Sequence, residues 1–256
     1  MKRTGARLGQ HFLKHGWAAR SLAHAVALRA GETFVEIGPG KGILTKELLA
    51  LGPVVAVEKD EALCALLRET FASDIASGRL RLIEGDVRDF DPAELSAPYV
   101  VAANIPYYIT GEIIRQFLTS QTQPRAMALL VQKEVAQRAT SAKESLLSLS
   151  IKAYGRPKIV EKVPAKHFSP PPSVDSAILL IDDVSKDFFS DIKEDAFFEL
   201  LHTAFAQKRK MLIGNLSATY DKETLRAVFA LCAIDEKARA EDVGLATWKL
   251  LARELL

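Results

Sequence analysis

The chain of 256 residues is poor in cysteine, with only Cys64 and Cys232. They lie far apart on helix-like segments and neither sits in a C-x-x-C pair. They read as buried free thiols in a reducing, cytoplasmic setting rather than as a disulfide framework. The five histidines are scattered without metal-ligand spacing, so no metal is expected. The N-terminus has no apolar h-region and no apolar run approaches a membrane span, so neither a signal peptide nor a membrane partner is expected. Internal repeats and low-complexity tracts are also missing. Charge is nearly balanced, 34 basic against 32 acidic residues for a net +2. The protein is therefore no wholesale polycation, and nucleic-acid contact must come from local patches. One local imbalance is itself an absence. Met1 to Gly31 contains no acidic residue and carries Lys2, Arg3, Arg7, Lys14, Arg20 and Arg29. Such an arm either binds nucleic acid or is a solvated tail.

What is there is arranged around Thr33–Gly42, T-F-V-E-I-G-P-G-K-G. A mostly apolar run enters three glycines in five positions, and an amphipathic segment, Ile43 to Ala50, follows at once. That is the order strand, tight turn, helix. Glycine serves where backbone approaches a ligand or takes positive φ, and a helix start offers free N–H groups. The next apolar run, Val54–Val57, ends in Glu58. An acid there, about 20 residues past the turn, can take both hydroxyls of a ribose. The dinucleotide pattern fails because Ile43 stands where its third glycine belongs, and the phosphate loop fails because Gly42 follows Lys41. Glu36 would repel a pyrophosphate but suits a ligand with a cationic amino group. The run E-I-G-P-G-K-G resembles the first motif of S-adenosylmethionine-dependent methyltransferases.

With 48% hydrophobic residues the chain can bury one large domain or one and a half. From Thr33 to about Ile181, strand-like and helix-like pieces alternate. Strands are expected at 54–57, 80–83, 99–103 and 126–131, and helices at 61–71 (Leu63, Leu66 and Leu67 inward), 113–118 and 133–139. Such alternation predicts parallel βαβ units in a doubly wound α/β sheet, whose ligands sit at the carboxyl ends of the strands. Gly38, Glu58, Asp86 and Asn104 each fall just past a strand end, and four such positions in register point to one site. Asp86 suits an adenine amine as acceptor, or a helix N-cap. Val160–Ile181 reads as a hairpin around the rigid F-S-P-P-P-S-V-D-S loop, Asp182–Asp195 as an acidic linker, and everything from Ala196 as helical. The expected division is a methyltransferase domain over 1–182 and a small all-helical, RNA-contacting domain over 183–256.

Asn104-Ile105-Pro106-Tyr107 carries the chemistry. An adenine N6 lone pair is delocalised into the ring and is a poor nucleophile. Acceptors that hold both amine hydrogens draw the nitrogen towards sp³; the Asn104 side-chain oxygen and a carbonyl near Ile105 suit this. Pro106 stiffens the turn, and Tyr107 offers a ring face to an extruded base. Taken in order, G-Q-H-F-L, E-I-G-P-G-K-G, V-E-K-D, G-D-V, N-I-P-Y-Y-I-T, F-S-P-P-P-S-V-D-S and F-A-Q-K-R-K-M-L resemble the rRNA adenine N6,N6-dimethyltransferase family, in particular its bacterial small-subunit (16S) branch. The resemblance implies a Rossmann-like methyltransferase fold and a monomer. It implies that S-adenosylmethionine is held by Gly38, Gly40, Glu58, Asp86 and Asn104, with His11 and Leu13 lining its pocket. It places Phe168 against the target base opposite Tyr107. It also implies, as substrates, two adjacent adenines in the 3′-terminal hairpin of 16S rRNA within a pre-small subunit. The basic run Lys208-Arg209-Lys210 is an expected RNA contact, although Lys208 stands where arginine is common and gives up bidentate phosphate pairing. Tyr108 departs from the usual Asn. The competing readings are the macrolide-resistance branch acting on large-subunit rRNA, a non-catalytic assembly factor, and an NAD-dependent dehydrogenase, which the missing third glycine disfavours.

Overall fold

The structure is a computed structural model and describes residues 11–14, 16–95 and 98–256. Gly9, Gln10 and the arm residues Lys2, Arg3 and Arg7 lie outside these. A two-residue strand β1 (Phe12–Leu13) and helix α1 (Gly16–Ala23) come first. Then follow β2 (Thr33–Ile37), α2 (Ile43–Leu49), β3 (Val54–Glu58), α3 (Glu61–Thr70), α4 (Ala72–Ala76), β4 (Leu80–Glu84), β5 (Tyr99–Asn104), α5 (Thr110–Thr119), β6 (Met127–Gln132) and α6 (Lys133–Ala139). Helix α7 (Leu146–Lys152) leads to β7 (Arg156–Val163), β8 (Phe168–Ser169) and β9 (Ser176–Asp182). Helices α8 (Glu194–Ala204), α9 (Leu212–Leu216), α10 (Lys222–Leu231) and α11 (Leu245–Leu255) end the chain.

The main sheet has seven strands in the order β4-β3-β2-β5-β6-β9-β7. Strands β2 to β6 run parallel, and β9 and β7 are added antiparallel. All five residues of β2 and of β3 are buried, as expected when helices cover both faces of a parallel sheet. Phe34, Val100, Leu130 and Leu180 join Leu22, Leu48 and Leu67 in one core cluster. The strand order reverses between β2 and β5, the switch point where doubly wound sheets bind ligands. At the far edge, β7 carries Lys158, Glu161 and Lys162 and a bulge between Ile159 and Glu161, features that discourage edge-to-edge pairing.

Two details depart from the sequence reading. In α3 the residues buried are Cys64 and Leu67, while Leu66 is an exposed apolar residue. The stripe Cys64–Leu67–Phe71 faces inward, and Phe71 closes on Gly42, where an added Cβ would lie 2.5 Å from its ring. Asp182–Asp195 is not merely a linker. Its Phe188 and Phe189 pack with Tyr154, Phe197 and Phe198, at ring centroid distances of 5.0 to 6.0 Å.

That aromatic cluster belongs to a second compact unit, residues 138–155 with 185–256, and the sheet unit comprises 1–137 with 156–184. The helical unit thus takes an inserted segment that a single cut near 182 does not anticipate. Its unforeseen helix α7 is capped by Ser145, which accepts from the Ser148 amide while the Ser148 hydroxyl accepts from the Ser145 amide. Glu144, almost fully buried, is satisfied by Lys152 Nζ and Ser148 Oγ, each at 2.7 Å. No helix among the described residues is long and apolar enough to cross a membrane.

Candidate active site

The carboxyl ends of β2, β3, β4 and β5 open into a cleft of about 310 Å³. Gly38, Gly40, Glu58, Asp86, Asn104 and Tyr107 all line it, as does His11, so most of the residues singled out above share one cavity. The glycines are needed for their backbone. Gly38 has φ +64° with open space around it, and Gly40 has φ +58° and would place a Cβ 3.0 Å from the Phe12 ring, so side chains at both are strained.

Glu58, at the end of β3, is buried and held by three backbone amides. Its Oε2 accepts from Gly40 at 3.0 Å, and its Oε1 accepts from Lys59 at 2.9 Å and from Asp60 at 3.0 Å. A carboxylate has about four acceptor positions, so Glu58 anchors the glycine turn and still has room for a ligand hydroxyl. A second hydroxyl would have to share a position already used. Asp86 serves as a cap as well as lining the cleft. It accepts from the Arg88 amide at 3.0 Å, and its carboxylate also meets the Arg88 guanidinium at 2.5 Å and Lys59 Nζ at 2.7 Å. Those two cations, Arg88 first, hold it well below the usual carboxylate range. Lys59 and Arg88 are site residues that the sequence reading missed, although V-E-K-D and G-D-V contain or adjoin them.

Asn104 closes β5. Its Nδ2 donates to the His11 carbonyl at 3.0 Å. A carbonyl can only accept, so the amide orientation is fixed and Oδ1 is left without a donor among the described residues. Tyr107, on the next turn, lies 2.7 Å from Ser176 Oγ through its hydroxyl, and its ring is 5.5 Å from that of His11. Burial pushes the Tyr107 phenol up, keeping it neutral. His11 Nδ1 in turn donates to the Pro170 carbonyl at 2.8 Å. Ser176, within V-D-S, was not singled out from sequence.

One expectation is corrected. Phe168 is fully buried in the core cluster and does not line the cleft. Pairing of β1 with β8 sets Leu13 opposite Phe168, and both side chains turn into the core. Leu13 reaches only a small neighbouring recess, which it shares with Glu36, Gly38, Gly40 and Asn104. Phe12 lines both spaces instead. In that recess Glu36 is 1% exposed, and its Oε2 has no hydrogen-bond partner. Burial, opposed in part by hydrogen bonding from Thr45 and reinforced by the Glu58 charge, pushes its carboxyl up to about 8. A buried acid with one unpartnered oxygen beside the glycine turn fits a ligand with a cationic amino group, such as the aminoacyl end of S-adenosylmethionine.

In the helical unit, Lys208, Arg209 and Lys210 occupy an exposed turn between α8 and α9 rather than a helix face. Buried Asn215 braces it from within, donating to the carbonyls of Ala204 at 2.6 Å and Gln207 at 3.2 Å. None of the three cations forms an ion pair among the described residues.

The ribosomal RNA adenine dimethylase family model matches residues 1–255. The chain belongs to this family. A small-subunit rRNA methyltransferase A of Dehalococcoides mccartyi is 37% identical over 252 residues, covering 95% of this chain and 86% of its own. The Gloeobacter violaceus protein of the same name is 38% identical over 262 residues, covering 98% and 93%. Among solved structures, a dimethyladenosine transferase from Plasmodium falciparum superposes with TM-score 0.81 at 23% identity, covering 94% of this chain and 96% of its own. The 23S rRNA methyltransferase ErmE superposes with TM-score 0.77 at 24% identity, covering 95% and 99%. Both share the Rossmann-like fold.

Proposed function

We propose that this rRNA adenine dimethyltransferase methylates N6 of two adjacent adenines in the 3′-terminal hairpin of 16S rRNA, within a pre-small subunit, as a cytoplasmic monomer. The observation that carries the reading is Asn104. With Nδ2 committed to the His11 carbonyl, Oδ1 is the acceptor that Asn104 can offer to the cleft it lines. One amine hydrogen of the target goes to Asn104 Oδ1 and the other to a backbone carbonyl near Ile105. The nitrogen lone pair then localises and points out of the ring plane. Tyr107 stacks on the extruded base, and Ser176 holds the Tyr107 ring in place. S-adenosylmethionine supplies the electrophilic methyl group. Glu58 takes a ribose hydroxyl, Asp86 shares an oxygen with the adenine amine, and Glu36 faces the amino group, with Gly38 and Gly40 allowing close approach. Transfer needs no general base, because the cationic product sheds its proton afterwards.

With Phe168 buried in the core, Tyr107 acts alone from the cleft wall. The helical unit binds RNA phosphates through Lys208, Arg209 and Lys210. Relatives named as small-subunit enzymes at 35–38% identity support this branch over the large-subunit one. The test supplies tritiated S-adenosylmethionine with undermethylated small subunits and identifies the labelled nucleoside. N6,N6-dimethyladenosine at neighbouring positions is the expected product. Label at any atom other than adenine N6 would overturn the reading.

A further inference from the structure

Tyr107 and Tyr108 are consecutive on the turn after β5 but sit in opposite environments. Tyr107 is half-buried, with its hydroxyl on Ser176 and its ring against His11. Tyr108 lines the same cleft, yet it is 69% exposed. Neither a ring contact nor a hydrogen bond engages it among the described residues. An aromatic face left in water gives the fold nothing, since its apolar area is not removed from solvent. The fold therefore does not require this ring.

We infer that Tyr108 is the stacking platform for the nucleobase that flanks the target adenine in the RNA strand. The inference rests on the proposed substrate. Drawing a base out of its stack leaves the neighbouring base with a bare face, and the extrusion costs free energy. An aromatic ring at the mouth of the cleft, one residue from the ring that meets the target, can cover that face. Stacking of this kind tolerates any base, because every base has a π-face. The surroundings suit a nucleic-acid strand. Arg88 lines the cleft beside Tyr108 and also lines a shallow groove that continues along α5 to Arg115. Glu112 lines that groove too and Asp86 pairs Arg88, so Arg115 is the groove cation without an ion pair among the described residues and the one placed to meet a phosphate.

The test is steady-state methyl transfer to undermethylated small subunits by Tyr108→Ala, Tyr108→Phe and Tyr108→Leu. Tyr108→Ala is expected to lower kcat/KM for the subunit by roughly 5- to 150-fold, the equivalent of about 1–3 kcal/mol of stacking. Tyr108→Phe retains activity, and Tyr108→Leu falls close to Tyr108→Ala. Because the side chain is 69% exposed, thermal unfolding stays unchanged. Wild-type kinetics from Tyr108→Ala, or equal losses in Tyr108→Ala and Tyr108→Phe, would overturn the platform and leave the substrate assignment standing. A wild-type enzyme that methylates no adenine of the subunit would overturn both.

Discussion

Placing the cofactor's amino group on Glu36 predicts that binding is coupled to proton release. Its carboxyl is 1% exposed, Oε2 is orphaned, and the group titrates at about 8 instead of 4.5. Each unit of pKa corresponds to about 1.36 kcal/mol, so full ionisation in the empty site costs about 5 kcal/mol. The sign follows from linkage. The folded state holds this proton more tightly than the unfolded chain does. The contribution of Glu36 to stability is therefore complete below pH 4.5, declines through the window from 4.5 to about 8, and is lost above it. A ligand ammonium in the recess changes the balance by stabilising the anion. At pH 7, below the folded pKa of about 8, Glu36 is mostly protonated, and binding to its anion must then release close to one proton. Affinity should rise with pH up to about pH 8, where Glu36 is ionised without the ligand, and fall again at more alkaline pH where the ligand's own α-amino group loses its charge. Calorimetric titration of S-adenosylhomocysteine in buffers of different ionisation enthalpy counts the protons directly. Glu36→Gln should abolish the release and flatten the acid limb. Affinity independent of pH between 6 and 8, with no proton released by the wild-type protein, would refute the assignment of the amino group to Glu36.

Four further outcomes are expected. Glu58→Ala should weaken S-adenosylhomocysteine binding by about 1–3 kcal/mol and also lower Tm, since three backbone amides lose their acceptor; unchanged affinity in calorimetry removes Glu58 from the site. Tyr107→Phe and Ser176→Ala each leave the partner hydroxyl unpaired, at about 1–3 kcal/mol, and the double variant should cost less than the sum in denaturant unfolding; strict additivity would mean the 2.7 Å hydrogen bond does not couple them. The triple change Lys208→Ala/Arg209→Ala/Lys210→Ala should lower the salt slope of subunit binding by about one for each RNA phosphate that the variant no longer neutralises, and an unaltered slope reduces this turn to a solvated surface. Asn104→Ala should slow transfer by the equivalent of about 2.7–4 kcal/mol, by analogy with a single oxyanion-hole donor, while cofactor affinity is retained. It should also accumulate monomethyladenosine by mass spectrometry, because after the first transfer one N–H remains to be gripped; a wild-type yield of dimethyladenosine would sink the mechanism.

The sheet half of the site was legible because its signals are local. A buried apolar run, a glycine turn and an acid at the next strand end occupy adjacent stretches of chain, and the parallel topology brings such ends together. Gly38, Glu58, Asp86 and Asn104 therefore met in one cleft as their positions suggested. What was not legible depends on partners distant in sequence. Asp86 binding Lys59 across 27 positions leaves no periodicity to read. Phe168 was misplaced for a similar reason. An aromatic next to a proline loop looks available for stacking, but strand pairing with Leu13 decides which way it faces. The helical unit's inserted segment, with α7, is likewise set by packing, through the Tyr154 ring and the Glu144–Lys152 pair, and not by a break in composition.

The base-binding half is built differently from the cofactor half, and this has a consequence for how the enzyme fails. His11 bonds the Pro170 carbonyl through Nδ1 and receives Asn104 Nδ2 on its own carbonyl. Lys14 donates from its amide to the His167 carbonyl at 2.8 Å. These bonds, with the β1–β8 pairing, clasp the N-terminal segment to the proline loop across 159 positions. The clasp is what orients Asn104, and its bonds all end on backbone carbonyls, so side-chain identity records it only weakly. Damage to the clasp should disorder the acceptor proposed to grip the amine, a loss expressed in the chemical step. Because His11 and Phe12 line the same cleft as Glu58 and Asp86, cofactor affinity should weaken with it. The two halves meet at Asn104, which ends a strand of the sheet and takes its side-chain orientation from the clasp.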